Sequence, residues 1–145
     1  MKHKKIGADG EQTYALVLDP GEEVAGVLQA FAKKLRVTAA HFQGIGALSD
    51  VVLGYFDWQK KQYRPIPLHE QVEVLSLQGD IAVEGNEPRV HAHLVVGRAD
   101  GTAWGGHLIS AHVRPTLEII FAQSPRWLRR RMDRDTGLPL IDPAV

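Results

Sequence analysis

The sequence predicts an α+β fold, in which one long helix packs on an antiparallel-dominated mixed sheet of about seven strands. Two patterns carry this prediction. Apolar residues follow helical spacing in one segment near the start, and most of the chain after residue 39 alternates as β-strands do. The 145 residues suffice for a single domain over 1–145, and we expect its core at about 14–122.

The first elements are a strand over 13–18 and then the helix. Asp19 is expected to be the N-cap residue, with Pro20 at the first helical position and Glu22 three residues past the cap. Five apolar residues then recur at helical spacing and predict the face that packs on the sheet: Val24, Val27, Leu28, Phe31 and Leu35.

The rest of the chain to residue 121 reads as strands, and a short helix is expected after it. Predicted strands cover 41–47, 51–57, 63–68, 71–83, 89–96, 102–112 and 116–121. Because Pro65 and Pro67 cannot donate backbone hydrogen bonds, the segment 63–68 should be an edge strand or a loop. A short helix is predicted from Ser124 onward and should end at Gly137; it belongs to an arginine-rich tail over 124–145.

Composition excludes several classes of protein. The chain has no cysteine, so it can form neither disulfides nor thiolate metal sites. Its formal net charge is zero, which argues against a globally basic nucleic-acid binder. No stretch approaches the length of a membrane span, and the basic N-terminus lacks the apolar region of a signal peptide. We therefore expect a cytoplasmic protein without a membrane partner.

Three histidines are the most informative chemical feature of the sequence. His91 and His93 lie two residues apart on a predicted strand, so they share one face. If the strands are joined by a three-residue loop, residues 99–101, with Gly101 in the left-handed region, His93 pairs with His107. All three imidazoles then share that face. A two-residue loop would turn His107 to the other face, unless a bulge at Gly105-Gly106 restored it.

This arrangement predicts a metal site. Three neutral imidazoles with an open fourth position suit zinc or another divalent transition metal. The opposite face of the hairpin would then be apolar and would pack against a helix, through Ala92, Leu94, Val96, Trp104 and Leu108. The alternative is that the three histidines are polar residues on a solvated sheet face.

Basic residues in the tail raise the possibility of nucleic-acid binding. Five arginines lie within nine residues: Arg126, Arg129, Arg130, Arg131 and Arg134. The favoured alternative is a solvated helix face whose charges pair with Asp133, Asp135 or another subunit.

A series of short motifs runs along the chain in a fixed order. They are GIGA at 44–47, GYFD at 54–57, EVLSLQG at 73–79, HAH at 91–93, GGHL at 105–108, PTLEI at 115–119 and DRDTGL at 133–138. Together they resemble one family, the plants and prokaryotes conserved (PPC) domain, formerly a domain of unknown function. The resemblance covers about residues 14–140.

The resemblance implies an α/β sandwich that assembles as a homotrimer. In plants this domain accompanies AT-hook segments in nuclear regulatory proteins, whereas prokaryotic members are usually the bare domain, and we expect that type here. Prokaryotic relatives tend to keep the three histidines and to hold zinc, so His91, His93 and His107 carry over as candidate ligands. The Arg-Gly-Arg-Pro core of an AT-hook is absent from the sequence.

Two functions remain open at this point. The first is a trimeric, metal-binding regulatory or interaction module, with DNA or another protein as its partner. The second is a small zinc-dependent hydrolase, in which Glu118 would be the general base. Glu118 could equally be a structural acid that orients a histidine or pairs with an arginine.

Overall fold

The computed structural model describes residues 1–5, 10, 12–124 and 127–144. These residues form one helix and a single nine-stranded sheet. In chain order the elements are β1 (Lys2–Lys5), β2 (Gln12–Leu18), α1 (Val24–Lys34), β3 (Ala39–Asp57), β4 (Gln62–Leu68), β5 (Val72–Glu84), β6 (Glu87–Gly97), β7 (Ala103–Gln123), β8 (Arg129–Met132) and β9 (Pro139–Asp142). The α+β class and the antiparallel-dominated mixed sheet are confirmed, because only the pairing of β5 with β8 is parallel.

The middle of the sheet closes on itself. Strand β3 pairs with β5, β5 with β6, β6 with the first residues of β7, and β7 pairs again with β3. Strand β2 extends the sheet beyond the later half of β7, and β1 lies outside β2. Among the described residues, no helix is both long and apolar enough to cross a membrane.

Two strands are much longer than the sequence patterns suggest. Strand β3 joins the predicted strands 41–47 and 51–57, because the segment between them keeps its pairing through shifts of register. Strand β7 likewise joins 102–112 and 116–121. Strand β4 pairs with β3, and its Pro65 and Pro67 lie on an edge strand, as predicted.

The helix begins later than the sequence suggests. Its N-cap is Glu23, whose carboxylate accepts the N–H groups of Ala25 and Gly26, so the prediction of Asp19 as the cap is wrong. The reason is that the preceding backbone is bonded to β7: the carbonyl of Val113 accepts the N–H of Gly21, and the carbonyl of Glu22 accepts that of Val113. The chain therefore leaves the sheet only after Glu22.

The predicted helical stripe faces the core. Val24, Leu28 and Phe31 are buried, while Val27 and Leu35 pack partly buried against the same cluster. Rings from the helix and the sheet meet edge to face, with the centroids of Phe31 and Phe121 5.3 Å apart. Burial of this apolar surface is the main force that holds the helix on the sheet.

The prediction of a helix between Ser124 and Gly137 is wrong for the residues of this segment that the structure describes. Residues Arg129–Met132 form β8, which pairs in parallel with the end of β5 and antiparallel with β9. The N–H of Val83 donates to the carbonyl of Leu128 at 2.7 Å, and the N–H of Leu128 to that of Thr38 at 3.1 Å. Backbone groups that would bond within a helix are thus used in the sheet.

Candidate metal centre

The hairpin of β6 and β7 has the register that gathers the histidines. The N–H of Arg98 donates to the carbonyl of Thr102 at 2.8 Å, which closes a three-residue loop over 99–101. Gly101 has a φ of 82°, in the left-handed region. His93 therefore lies directly opposite His107, and this prediction of the register is confirmed.

The opposite face of this hairpin is buried, with one exception. Ala92, Leu94, Val96 and Leu108 all belong to the core. Trp104, which was expected among them, is 39% exposed, so that part of the prediction is wrong. Trp104 lies near the turn of the hairpin, and the Arg98 guanidinium stacks over its ring, with 5.5 Å from Cζ to the ring centroid.

The three imidazoles converge. One nitrogen from each of His91, His93 and His107 lies within 4.8 Å of the corresponding nitrogen of the others. The ring centroids are 5.1 Å, 5.2 Å and 5.3 Å apart in the three pairs. Bonds of about 2.0–2.1 Å to one ion require nitrogens no more than about 4.2 Å apart, so small rotations of these side chains would bring all three within reach of an ion.

Burial favours the neutral form of His93 and His107. The pKa of His107 is lowered to about 4, mainly by desolvation and to a smaller extent by the nearby imidazoles of His91 and His93. Desolvation and the proximity of His91 also lower the pKa of His93. Among the described residues, the buried Nδ1 of His107 has no hydrogen-bond partner. Neutral rings and a buried nitrogen without a partner fit the requirements of a metal ion.

A carboxylate lies beside the cluster. Asp80 on β5 is directly opposite His91, and its Oδ2 is 3.7 Å from Nδ1 of that ring. Its other oxygen, Oδ1, accepts a hydrogen bond from Nη2 of Arg130 on β8. Burial alone would raise the pKa of Asp80, but His91 and Arg130 more than offset this effect and lower it. Asp80 is thus an ionised group held between an arginine and a candidate ligand.

An aromatic ring covers the other side of the cluster. The Tyr63 ring on β4 stacks on His107, with centroids 4.3 Å apart and planes 17° from parallel. Gly54 makes this possible, because it lies opposite His107 and a Cβ there would come within 2.9 Å of the Tyr63 ring. The histidines and Tyr63 line a pocket of about 390 Å³, whose further wall is residues 138–140.

The tail arginines predicted to contact nucleic acid occupy different positions. Arg126 lies outside the described residues. Arg130 forms an ion pair with Asp80, and Arg131 forms one with Asp142 at 3.2 Å. Neither arginine pairs with Asp133 or Asp135, the partners expected if the tail were a solvated helix face. Arg129 is exposed and stacks over Trp127, with Cζ 5.2 Å from the ring centroid.

Glu118 is not brought to the histidines within the chain. It is exposed on β7, where it lies opposite Val17 of β2 and Ile45 of β3. From β7 the path along the sheet to His93 crosses β3 and β5 before it reaches β6. The three strand spacings of about 4.8 Å along that path alone amount to about 14 Å, and Glu118 lies two positions along β7 from Ile120, the residue in register with His93.

Asp80 is the residue that the sequence analysis missed, although a signal for it exists. Strands β5 and β6 are joined by the two-residue turn Gly85-Asn86, and Gly85 has a φ of 61°. A glycine-containing two-residue turn between strands fixes their register, and counting back from this turn pairs Asp80 with His91. Arg130 has no such local signal, because its partner lies 50 positions away.

Comparison with known proteins gives a family. The family model of the Plants and Prokaryotes Conserved (PCC) domain, the domain called PPC above, matches residues 6–125. The bifunctional protein GlmU of Synechococcus sp. (strain JA-3-3Ab) is 34% identical over 129 residues, which are 87% of this chain. The chain spans only 20% of the length of that curated relative.

Two solved structures have the same fold. A metal-containing protein from Archaeoglobus fulgidus is 34% identical, with a TM-score of 0.83 and coverage of 97% of this chain and 99% of that one. A candidate DNA-binding protein from Bacteroides thetaiotaomicron is 26% identical, with a TM-score of 0.89 and coverage of 99% of both chains.

Proposed function

Because this chain belongs to the PCC domain family, we propose that it is a self-associating regulatory or interaction module that holds zinc, or another divalent transition metal, on His91, His93 and His107. The observation that carries the proposal is the convergence of three imidazole nitrogens within 4.8 Å. The metal-containing relative from Archaeoglobus fulgidus supports it. A zinc ion bound by these three residues would supply a Lewis acid at this site.

The chain's own residues prepare the site. The buried underside of the hairpin fixes the two strands, so the imidazoles need little rearrangement to meet an ion. The depressed pKa of His107 keeps this ring unprotonated at neutral pH. Its stacking on Tyr63 limits rotation of the ring. Each of these features lowers the free-energy cost of ordering the ligands.

The proposed oligomer is a homotrimer. Three large apolar side chains are exposed on the outer face of the sheet, with Ile45 63%, Leu75 55% and Ile120 44% accessible. They line one pocket of about 500 Å³, together with Glu118. Contiguous exposed apolar surface of this kind marks contact sites, and we assign this face to other copies of the chain. The mass of the protein in solution tests whether three chains associate.

Zinc content is the test of the metal site. Wild-type protein should retain roughly one zinc ion per chain after dialysis, and His93→Ala should retain almost none, because two imidazoles hold zinc far more weakly than three. His69→Ala is the matched control, since His69 is exposed and outside the converging group. Equal zinc content in wild type and His93→Ala would contradict the proposal.

The alternative function, a zinc-dependent hydrolase, requires a general base beside the metal site, and within one chain Glu118 is not there. Glu118 lies at least about 14 Å away along the sheet. The carboxylate beside the cluster, Asp80, is bonded to Arg130 and is therefore engaged in an ion pair. We accordingly favour the regulatory or interaction role over catalysis.

DNA is a second candidate partner, and the candidate DNA-binding relative from Bacteroides thetaiotaomicron favours it. The net charge of zero and the ion pairs of Arg130 and Arg131 argue against strong binding through the tail. Fluorescence anisotropy with duplex DNA at about 50 mM and 200 mM salt tests this role. Binding that weakens as salt rises would support this role. If no binding is seen at low salt, DNA is excluded and another protein is left as the candidate partner.

A further inference from the structure

The segment 127–142 is attached to the strand that carries Asp80. The N–H of Val83 donates to the carbonyl of Leu128, and β8 then runs parallel to the end of β5. The matching family model ends at residue 125, so this segment lies beyond the part of the chain that the model covers. Its residues 138–140 nevertheless line the same pocket as the three histidines.

Arg130 joins this segment to the sheet through its side chain. The side chain is only 7% exposed. Its Nη2 donates to Oδ1 of Asp80, and its Nη1 donates to the carbonyl of Pro139 at 3.0 Å. One guanidinium therefore connects β5, β8 and β9. A buried arginine needs such partners, because an unpaired charge away from water is costly.

The ion pair leads directly to a candidate ligand. With Oδ1 held by Arg130, the carboxylate of Asp80 is fixed with Oδ2 toward His91, 3.7 Å from Nδ1. A carboxylate beside Nδ1 favours the tautomer that is protonated there, which leaves the lone pair on Nε2. Asp80, a residue outside the hairpin, is therefore placed where it can influence the tautomer of His91.

We propose that Arg130 is a positioning residue of the metal centre: it fixes Asp80, and Asp80 orients His91 for the ion. This inference rests on the proposed metal site and adds the arginine-rich tail to it. Arg130 then has a role other than contact with nucleic acid. Partners of this kind around a metal ligand typically change metal affinity by about 10- to 100-fold when they are removed.

Metal affinity in a set of matched variants tests the proposal. Zinc dissociation constants would be measured by competition with a chromophoric chelator for wild type, Arg130→Met, Asp80→Asn and the double variant. We expect each single variant to bind zinc about tenfold or more weakly. The double variant should be little weaker than either, because both changes remove the same path to His91.

Arg131→Met is the control, since Arg131 is on the same strand and pairs with Asp142 rather than with Asp80. Its zinc affinity should equal that of wild type. The visible spectrum of the cobalt-loaded protein adds a readout that loss of stability alone would not move. It should differ from wild type in Arg130→Met at saturating cobalt and remain unchanged in Arg131→Met.

Several outcomes would overturn the inference. Wild-type zinc affinity in Arg130→Met, or losses that simply add in the double variant, would show that the tail does not act through Asp80. If Arg130→Met does not fold, Asp80→Asn decides, and wild-type affinity there contradicts the inference. Absence of zinc binding by the wild type would instead contradict the proposed function itself.

Discussion

The histidine hairpin (residues 87–107) and the arginine tail (residues 127–142) border the same pocket but are held by different forces. Apolar side chains anchor the hairpin from below, with Leu94 and Val96 buried in the core. The tail is held by backbone hydrogen bonds and by the Arg130–Asp80 ion pair, while Leu140 is 42% exposed. Core burial gives the hairpin a fixed geometry, whereas the tail adds polar contacts beside it, through Arg130 and Asp80.

The largest difference should appear when one leucine is truncated in each region. Leu94→Ala should lower the free energy of unfolding by about 2–5 kcal/mol, because it leaves a cavity under the histidines. Leu140→Ala should cost less than about 1 kcal/mol, since the side chain is partly in water. Urea denaturation measures both values, and similar losses would contradict the contrast between the two regions.

A smaller effect is expected from pH in the metal-free protein. The pKa of His107 is about 4 in the folded chain, below the usual value near 6.5. Between these values the unfolded chain binds a proton that the folded chain does not, so stability falls as pH decreases from about 7 toward 4. The loss should be on the order of 1 kcal/mol after allowance for solvent screening.

His107→Asn should flatten this pH dependence, whereas the exposed His69→Asn should leave it close to that of wild type. Urea denaturation at about pH 7 and pH 4.5 measures the difference. An unchanged slope in His107→Asn would mean that other groups are responsible.

The smallest effects belong to the exposed arginines of the tail. Arg129→Ala and Arg131→Ala should each change the free energy of unfolding by less than about 1 kcal/mol, because exposed ion pairs and ring contacts contribute little. DNA anisotropy should also be unaffected by these changes. A clear loss of DNA binding in either variant would restore the nucleic-acid role of the tail.

Local turn chemistry explains which features the sequence could predict. The Asp100-Gly101 pair predicts a turn, and the three-residue form of the loop, one of the two that the sequence leaves open, pairs His93 with His107. The start of α1 and the strand β8 could not be found this way, because bonds to Val113 and Val83 decide them. The sequence predicts two strands, 41–47 and 51–57, in place of the single strand β3. The reason is that shifts of register within β3 interrupt the alternation of apolar residues.

The most direct test of the central claim is a crystal structure of the zinc-loaded protein, with diffraction measured at the zinc absorption edge. We predict one anomalous peak per chain, at about 2.0–2.1 Å from a nitrogen of each of His91, His93 and His107. Absence of a peak at that position, or zinc bound by other residues, would contradict it.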